Sequence, residues 1–505
     1  MSQQRLATVL QKMSRGVSPF IGGQFLPAAS RPTRQLISPV DGSVLTTVTH
    51  ATAADVDDAV QAARTALRHN AVWPSYTGAQ RRDALLSLSD LVHRHRDELA
   101  ALESANCGKP VQIAREDIDE AATCFRWFAG CADRLQGRVA LDAGAHQPIH
   151  QFTIRQPAGV CALVVSFNYP LLLATWKMAA ALACGNAVLV KPAVQTPLTV
   201  LRLAELLAEE TGVGLPPGVL AVLPGGAEVG RALVEHPHVD RCSFTGSSAV
   251  GSEILRSSAA SNLKRCTLEL GGKSALLVFP DVDLDRTVED VYSAMFTNSG
   301  QNCCAGSRLL VHVDVHTTFL ERLRARAERT LIGVQEGDEL GPLIDRAQYD
   351  RVRGYIQRAI DEGQGQLLCG GPRLPAAIQA KLPTEFLGVP PTIFHDVSDD
   401  ALIAREEIFG PVLTVLRPFQ SFDEAIERAN NTPFGLAAGV WTRSLGTAHR
   451  AVQRLRAGTV WVNNYNLLYP YMPFGGIGTS GFGKDMGEEA LDEFSDIKTA
   501  LMCFD

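Results

Sequence analysis

Val160-Cys-Ala-Leu-Val-Val165 is an unbroken apolar run, and it reads as a buried strand. Leu171 to Cys184 follows as a helix, with Asn168 or Tyr169 ahead of Pro170 at its start and Gly185 at its end. The alternation then repeats. Ala187–Val190 is a strand, Val200–Glu210 a helix closed by Gly212, and Val219–Leu223 a strand. Ala227–Glu235 is a helix and Arg241–Phe244 a strand. Strands alternating with helices at this spacing build a parallel, doubly wound α/β sheet.

A second α/β series begins after Gly271-Gly272. Its strands are Ala275–Phe279, Arg308–Val313, Ala438–Trp441 and Thr459–Asn463, and its helices Leu284–Phe296, Thr317–Thr330 and Phe422–Ala429. Ahead of both series, residues 55 to 135 are helical in pattern. Two α/β lobes therefore meet near residue 271. Ligands of such sheets bind at the carboxyl ends of strands, so the cleft between lobes is the expected reaction site.

Composition narrows the function classes. The 505 residues carry 47 Lys+Arg against 54 Asp+Glu, a net charge of −7 with no basic block, which excludes an ordinary nucleic-acid binder. No apolar run is long enough to span a bilayer; Pro170 to Cys184 is too short and holds Lys177. Eleven cysteines without a CxxC pair or zinc spacing suit a reducing compartment, give no metal site, and leave room for a reactive thiol. The basic N-terminus, with Leu6, Val9, Leu10 and Met13 on one helical face, reads as a packed helix or as a mitochondrial presequence. The expected location is cytoplasmic, with the mitochondrial matrix as the alternative.

Three features carry chemistry. Glu269 stands on an apolar strand ending in Gly271-Gly272-Lys273. Burial there would raise its pKa toward a general base's range, unless it only closes an ion pair at the strand end. Asn298-Ser-Gly-Gln-Asn-Cys-Cys-Ala-Gly-Ser-Arg308 places adjacent cysteines in a small, polar loop, where they are a presented thiolate or two buried small residues. Ser243-Phe-Thr-Gly-Ser247, with Gly251 beyond, is a strand–glycine–helix junction that is an anion site or a plain turn. It is neither a GxGxxG nor a Walker A motif.

Together with Asn168-Tyr-Pro170, Lys191-Pro-Ala193, Glu406-Glu-Ile-Phe-Gly-Pro411, Asn431-Thr-Pro-Phe-Gly-Leu436 and Pro473-Phe-Gly-Gly476, these segments resemble the aldehyde dehydrogenases, in family order from about residue 20 to 499. The resemblance implies a Rossmann-type NAD(P)-binding domain (1–136 and 159–270), an α/β catalytic domain (271–472), and a small β oligomerisation lobe with the C-terminal tail (137–158 and 473–505). It implies Cys303 as nucleophile, Glu269 as the base that activates water, and Asn168 with the Cys303 backbone as oxyanion donors. Cofactor contacts would come from Lys191, Gly246, Ser247, Glu407 and Phe409. The substrate would meet Tyr169, Trp176 and Tyr465, with Leu172 and the tyrosines of the Asn464–Met472 loop beside them.

Implied partners are a small aldehyde and further copies of the chain in a homodimer or homotetramer, with no nucleic acid, membrane or metal. NAD is the expected cofactor. Many NAD-preferring members carry a glutamate after Lys-Pro-Ala, whereas Val194 stands here, so NADP use stays open. Gly478 is a second departure, where many relatives have a basic residue. The Asn463-Asn-Tyr-Asn466 and Asn168-Tyr-Pro170 strings look most like the trimethylaminobutyraldehyde and betaine aldehyde branch. An aromatic lining there would suit a cationic ammonium head, or equally an aromatic or aliphatic aldehyde. The alternatives are a CoA-acylating relative and a non-catalytic one; Glu269 and Cys303 argue against them.

Overall fold

The computed structural model describes residues 17–503 except 29, 141–148 and 211. The basic N-terminal pattern of Leu6 to Met13 lies outside the described residues.

The Val160 run is the middle of an eight-stranded sheet. Across the sheet the strands are Gly481–Phe482, Arg265–Glu269, Arg241–Thr245, Val160–Val164, Ala187–Lys191, Leu220–Val222, Phe20–Ile21 and Gln24–Phe25. The five strands from Arg265–Glu269 to Leu220–Val222 are parallel, and the edges are antiparallel. From Val160–Val164 the chain winds outward one way through Ala187–Lys191 and Leu220–Val222, then returns to lay Arg241–Thr245 on the other side. The switch point of the sheet therefore lies between Val160–Val164 and Arg241–Thr245, where such sheets bind ligands. Asn168 follows the first of these strands, and Gly246 and Ser247 follow the second.

The helix between the first two strands is Pro170–Ala183. Proline fixes its first turn, and Gly185, at φ 90°, ends it. All fourteen of its residues are buried, which is why it reads as an apolar run without being a membrane span. Among the described residues no helix is long and apolar enough to cross a membrane.

A second, seven-stranded sheet runs in the order Gln366–Cys369, Thr392–Val397, Val412–Leu416, Arg308–Val311, Ala275–Val278, Ala437–Trp441 and Thr459–Val462. All neighbours are parallel except the Gln366–Cys369 edge. The expected strands are all present, with ends that differ by one or two residues; Ala437–Trp441, Ala187–Lys191 and Arg241–Thr245 are each one residue longer. A linker of only five residues, 270–274, joins the carboxyl end of Arg265–Glu269 to the amino end of Ala275–Val278. The carboxyl edge of the first sheet thus meets the amino edge of the second, where Cys303 precedes Arg308–Val311.

Ile149–Pro157 and Ser495–Cys503 pair antiparallel along nine residues, and Val139–Ala140 adds a short third strand. Within 473–505, Gly481–Phe482 instead completes the first sheet, where Gly481 pairs with Glu269. The C-terminal stretch is thus divided between the three-stranded sheet and the wall of the site.

Candidate active site

Cys303 is delivered by a break in helical geometry. The helix Leu284–Phe296 starts on an Asp283 cap, whose carboxylate accepts from the Arg286 N–H (3.2 Å), and it stops at Thr297. Asn298, Ser299 and Gly300 then adopt φ of 53°, 58° and 67°. Left-handed backbone at a non-glycine costs on the order of 1–3 kcal/mol, so the surroundings must impose it. Asn298 Nδ2 donates to the Asn168 carbonyl (3.0 Å) and Ser299 Oγ to the Gly341 carbonyl (2.8 Å), while Gln301 Oε1 accepts from the Ile344 N–H (3.0 Å). At Gly300 a Cβ would lie 2.4 Å from the Gly410 carbonyl oxygen, so only glycine fits.

Glu269 closes the strand Arg265–Glu269 and is 4% exposed. Its carbonyl accepts from the Gly246 N–H (3.0 Å), which ties Glu269 to the helix-start turn beside it. Both of its carboxyl oxygens lack a hydrogen-bond partner. Burial and the neighbouring Asp485 carboxylate push its pKa well up, against the pull of Lys177. Gly475 keeps the space beside it open, since a Cβ there would lie 2.5 Å from Glu269 Oε1. The Cys303 thiol is also pushed well up, by its hydrogen bond with the Cys304 thiol and by burial. Both groups therefore rest protonated through a wider pH range than in water.

Two cavities meet at these residues. One, of 260 Å³, is walled by Tyr169, Leu172, Trp176, Tyr465 and Phe474. The other, of 220 Å³, is walled by Gly246, Ser247, Gln348, Arg351, Glu407 and Phe409. Asn168, Thr245, Glu269 and Cys303 border both. An apolar chamber and a polar chamber therefore open on one thiol, one carboxyl group and one amide. Such an arrangement lets two molecules meet at a single reacting carbon.

The wall of the second cavity is built as tightly. Glu407 Oε1 accepts from the Gly272 N–H (3.2 Å), and burial pushes the Glu407 carboxyl up to about 6. Phe409 holds φ 59°, a rare conformation for an aromatic residue, with its ring edge-on to Phe167 at 5.6 Å. Ser247 caps the helix Ser248–Ala260, its Oγ accepting from the Val250 N–H (3.4 Å).

A family profile for the aldehyde dehydrogenases matches residues 25–500. The chain belongs to the aldehyde dehydrogenase family. It is 43% identical to a mitochondrial aldehyde dehydrogenase of Leishmania tarentolae over 95% of this chain and 93% of that one. An NAD+ complex of a Bacillus cereus aldehyde dehydrogenase superposes with a TM-score of 0.93 at 38% identity, covering 100% and 99% of the two chains. A γ-glutamyl-γ-aminobutyraldehyde dehydrogenase from Burkholderia cenocepacia gives 0.91 at 42% identity, covering 99% of each chain. As an aldehyde dehydrogenase, the protein is an oxidoreductase acting on the aldehyde group.

Most residues singled out in this aldehyde dehydrogenase sequence reach the site, and two details differ. Lys191 lies in neither cavity wall; its Nζ is buried, donates to the Pro192 carbonyl (3.3 Å), and is pushed down to about 8 by burial. Of the three loop tyrosines only Tyr465 lines the apolar cavity, its hydroxyl donating to the Cys304 carbonyl (2.6 Å). Tyr469 and Tyr471 stack on each other at 5.1 Å and face solvent. Short polar neighbours of Tyr465 turn the chain outward there, with Asn466 at φ 58°.

Other residues reach the site without having been singled out, Thr245 although it lies within the Ser243–Ser247 motif. Thr245 presents an unpartnered buried hydroxyl to both cavities. Lys177, fully buried on its apolar helix, bonds Asp485 Oδ2 (2.7 Å) and Ser243 Oγ (2.9 Å). A lysine inside an otherwise apolar helix was the available signal. Glu116, Asp117 and Glu120 of the helix Val111–Ala129 line the apolar cavity.

Proposed function

We propose that this protein oxidises an aldehyde to its carboxylic acid with NAD+ as hydride acceptor, through a thioester on Cys303. The observation that carries this reading is that Cys303, Glu269 and Asn168 border both cavities while both Glu269 oxygens stay unpartnered. The Cys303 thiol gives its proton to solvent, and the sulfur attacks the aldehyde carbon held in the apolar cavity. The carbonyl π pair moves onto oxygen, where the Asn168 side-chain amide and the Cys303 N–H donate to the oxyanion. NAD+ when bound supplies the acceptor for the hydride that the thiohemiacetal carbon loses as its carbonyl re-forms. Glu269 takes a proton from water, hydroxide adds to the thioester, and the Cys303 thiolate leaves and takes that proton back from Glu269 as the carboxylic acid is released.

The residues fit that cofactor. Free N–H groups at the start of Ser248–Ala260 suit a pyrophosphate. Glu407 suits ribose hydroxyls, and the missing side chain of Gly271 leaves it room, since a Cβ there would lie 2.1 Å from Glu407 Oε2. Lys191 would meet the adenosine ribose. Val194 places no carboxylate against a 2′-phosphate, so kinetics with NAD+ and NADP+ decide the preference, and a strong NADP+ preference overturns the NAD+ reading. Cys303→Ala should abolish oxidation while NAD+ binding persists; surviving turnover would show that another group is the nucleophile.

The aldehyde we favour carries a cationic far end. Glu116 and Glu120 are exposed at the mouth of the apolar cavity beside Asp117, with Tyr169, Trp176 and Tyr465 further in. Carboxylates outside and aromatic faces inside suit an ammonium group. A kcat/KM panel of trimethylammonium, amino, aliphatic and aromatic aldehydes tests this; equal values for charged and uncharged substrates would sink it.

Roles divide with the sheets: cofactor binding on 1–136 and 159–270, catalysis on 271–472, and assembly on the three-stranded sheet. That sheet presents Ile497 and Leu501, 64% and 66% exposed, on an edge strand, which supports a homodimer or homotetramer. A monomer by light scattering at micromolar concentration would contradict it. All eleven cysteines are free, so the setting that suits the enzyme is reducing: the cytoplasm or the mitochondrial matrix.

A further inference from the structure

We propose that Lys109 is a positioning residue, holding Asn168 where its side-chain amide meets the oxyanion; the inference rests on the oxyanion reading of Asn168. Lys109 is 2% exposed and lies at the turn after the helix Arg96–Cys107. Its Nζ donates to the Asn168 carbonyl (2.8 Å), pairs with Asp117, lies 3.9 Å from Glu103 Oε1, and sits 4.4 Å above the Tyr169 ring.

Three neighbouring contacts grip the same segment. The Cys107 thiol donates to the Phe167 carbonyl (3.7 Å), Glu103 Oε2 accepts from the Leu171 N–H (3.4 Å), and Asn298 Nδ2 shares the Asn168 carbonyl (3.0 Å). The turn that carries Lys109 is itself fixed. Ser104 Oγ donates to the Lys109 carbonyl (2.7 Å), and Gly108, at φ 77°, packs where a Cβ would lie 2.6 Å from Pro342 Cγ.

Asn168 Oδ1 has no hydrogen-bond partner although the residue is 4% exposed. With its side-chain oxygen left free, the direction of the amide is set mainly through the backbone, and Lys109 supplies the charged bond to that backbone. A buried ion pair is a poor device for stability, because an apolar replacement of similar volume is often no less stable. A lysine placed between two buried carboxylates, an active-site carbonyl and the ring of a substrate-cavity residue is better accounted for by the geometry it enforces.

Lys109→Met alone would strand the Glu103 and Asp117 carboxylates and unfold the region, so the measurement uses Glu103→Gln/Lys109→Met/Asp117→Asn, which is neutral there. Asn168→Ala should lower kcat about 10²- to 10³-fold. The triple variant should lower it about 10- to 100-fold, with NAD+ affinity and circular dichroism as in the parent. Adding Asn168→Ala to the triple variant should cost no more than Asn168→Ala alone, because both act through one amide. Losses that multiply, or a triple variant at the parental rate, would overturn the role of Lys109. A fully active Asn168→Ala would instead overturn the oxyanion assignment, leaving the two failures distinct.

Discussion

Glu269 and Glu407 line the same 220 Å³ cavity from the two α/β units, and burial raises the pKa of both. Glu407 accepts a hydrogen bond from the Gly272 N–H, whereas neither oxygen of Glu269 has a partner. A buried carboxyl group without partners costs stability, and folds keep one only where something other than stability selects it. The difference fits the proposed roles, in which Glu407 holds the cofactor and Glu269 accepts protons.

The sharpest break of this comparison is Glu269→Gln. Acylation can still occur, because the Cys303 thiol loses its proton to solvent, but the water step loses its base. The expected result is one burst of NADH followed by steady turnover lowered about 10²- to 10⁴-fold. Stability should move the other way. The raised pKa of Glu269 means the unfolded chain gives up this proton at a lower pH than the folded one, so the carboxyl weakens folding increasingly as pH rises from its ordinary range toward its folded value. Thermal unfolding should show the glutamine variant gaining on the parent as pH rises above the ordinary carboxylate range. A variant that loses activity and stability together would make Glu269 a structural residue.

Glu407→Gln should behave differently. Loss of a charged acceptor should raise the cofactor KM about 10-fold while a burst in proportion to bound cofactor persists. Stopped-flow with varied NAD+ separates the cases. A stalled thioester in this variant would erase the distinction between the two glutamates.

Much of this geometry was legible beforehand, and the reason is local. The helices Ala227–Glu235 and Leu284–Phe296 lie within the expected bounds because glycine, acidic caps and apolar spacing mark their ends within a few residues. Cys303, Glu269, Asn168 and Glu407 each stand in a motif readable from adjacent residues, and two motif glycines, Gly475 and Gly271, leave room for Glu269 and Glu407. Lys177 and Asp485 meet across 308 residues, and no local pattern announces such a pair. Asn298 and Ser299 take their left-handed backbone from the contacts at Asn168 and Gly341, which lie elsewhere in the chain. Glu116 and Glu120 look like the solvated face of an amphipathic helix, and only packing reveals that this face lines a cavity.

Those acidic residues extend the comparison to the apolar side. The surrounding protein, with the Asp117 and Glu116 carboxylates, pushes Glu120 up to about 7. A preference for cationic aldehydes should therefore grow as pH rises through 7 and fade below 6. Glu120→Gln should lower kcat/KM for a trimethylammonium aldehyde about 3- to 10-fold at pH 8 and leave an uncharged aldehyde unchanged, the modest size reflecting its exposure at the mouth. Equal losses for both substrates would indicate a general change of shape.

The smallest effect tests whether the Cys303 loop depends on the helix that leads into it. Asp283 caps the far end of Leu284–Phe296, about four turns from the break at Asn298. Asp283→Ala should remove about 1 kcal/mol. In a chain of this size that is a shift in Tm of roughly 1–2 °C. Turnover should not change, because the left-handed turn is clamped by Asn168, Gly341 and Ile344 and takes nothing from the helix start. A drop in kcat with this variant would mean that strain travels along the helix, and that the nucleophile is placed by the whole element and not by its local clamps.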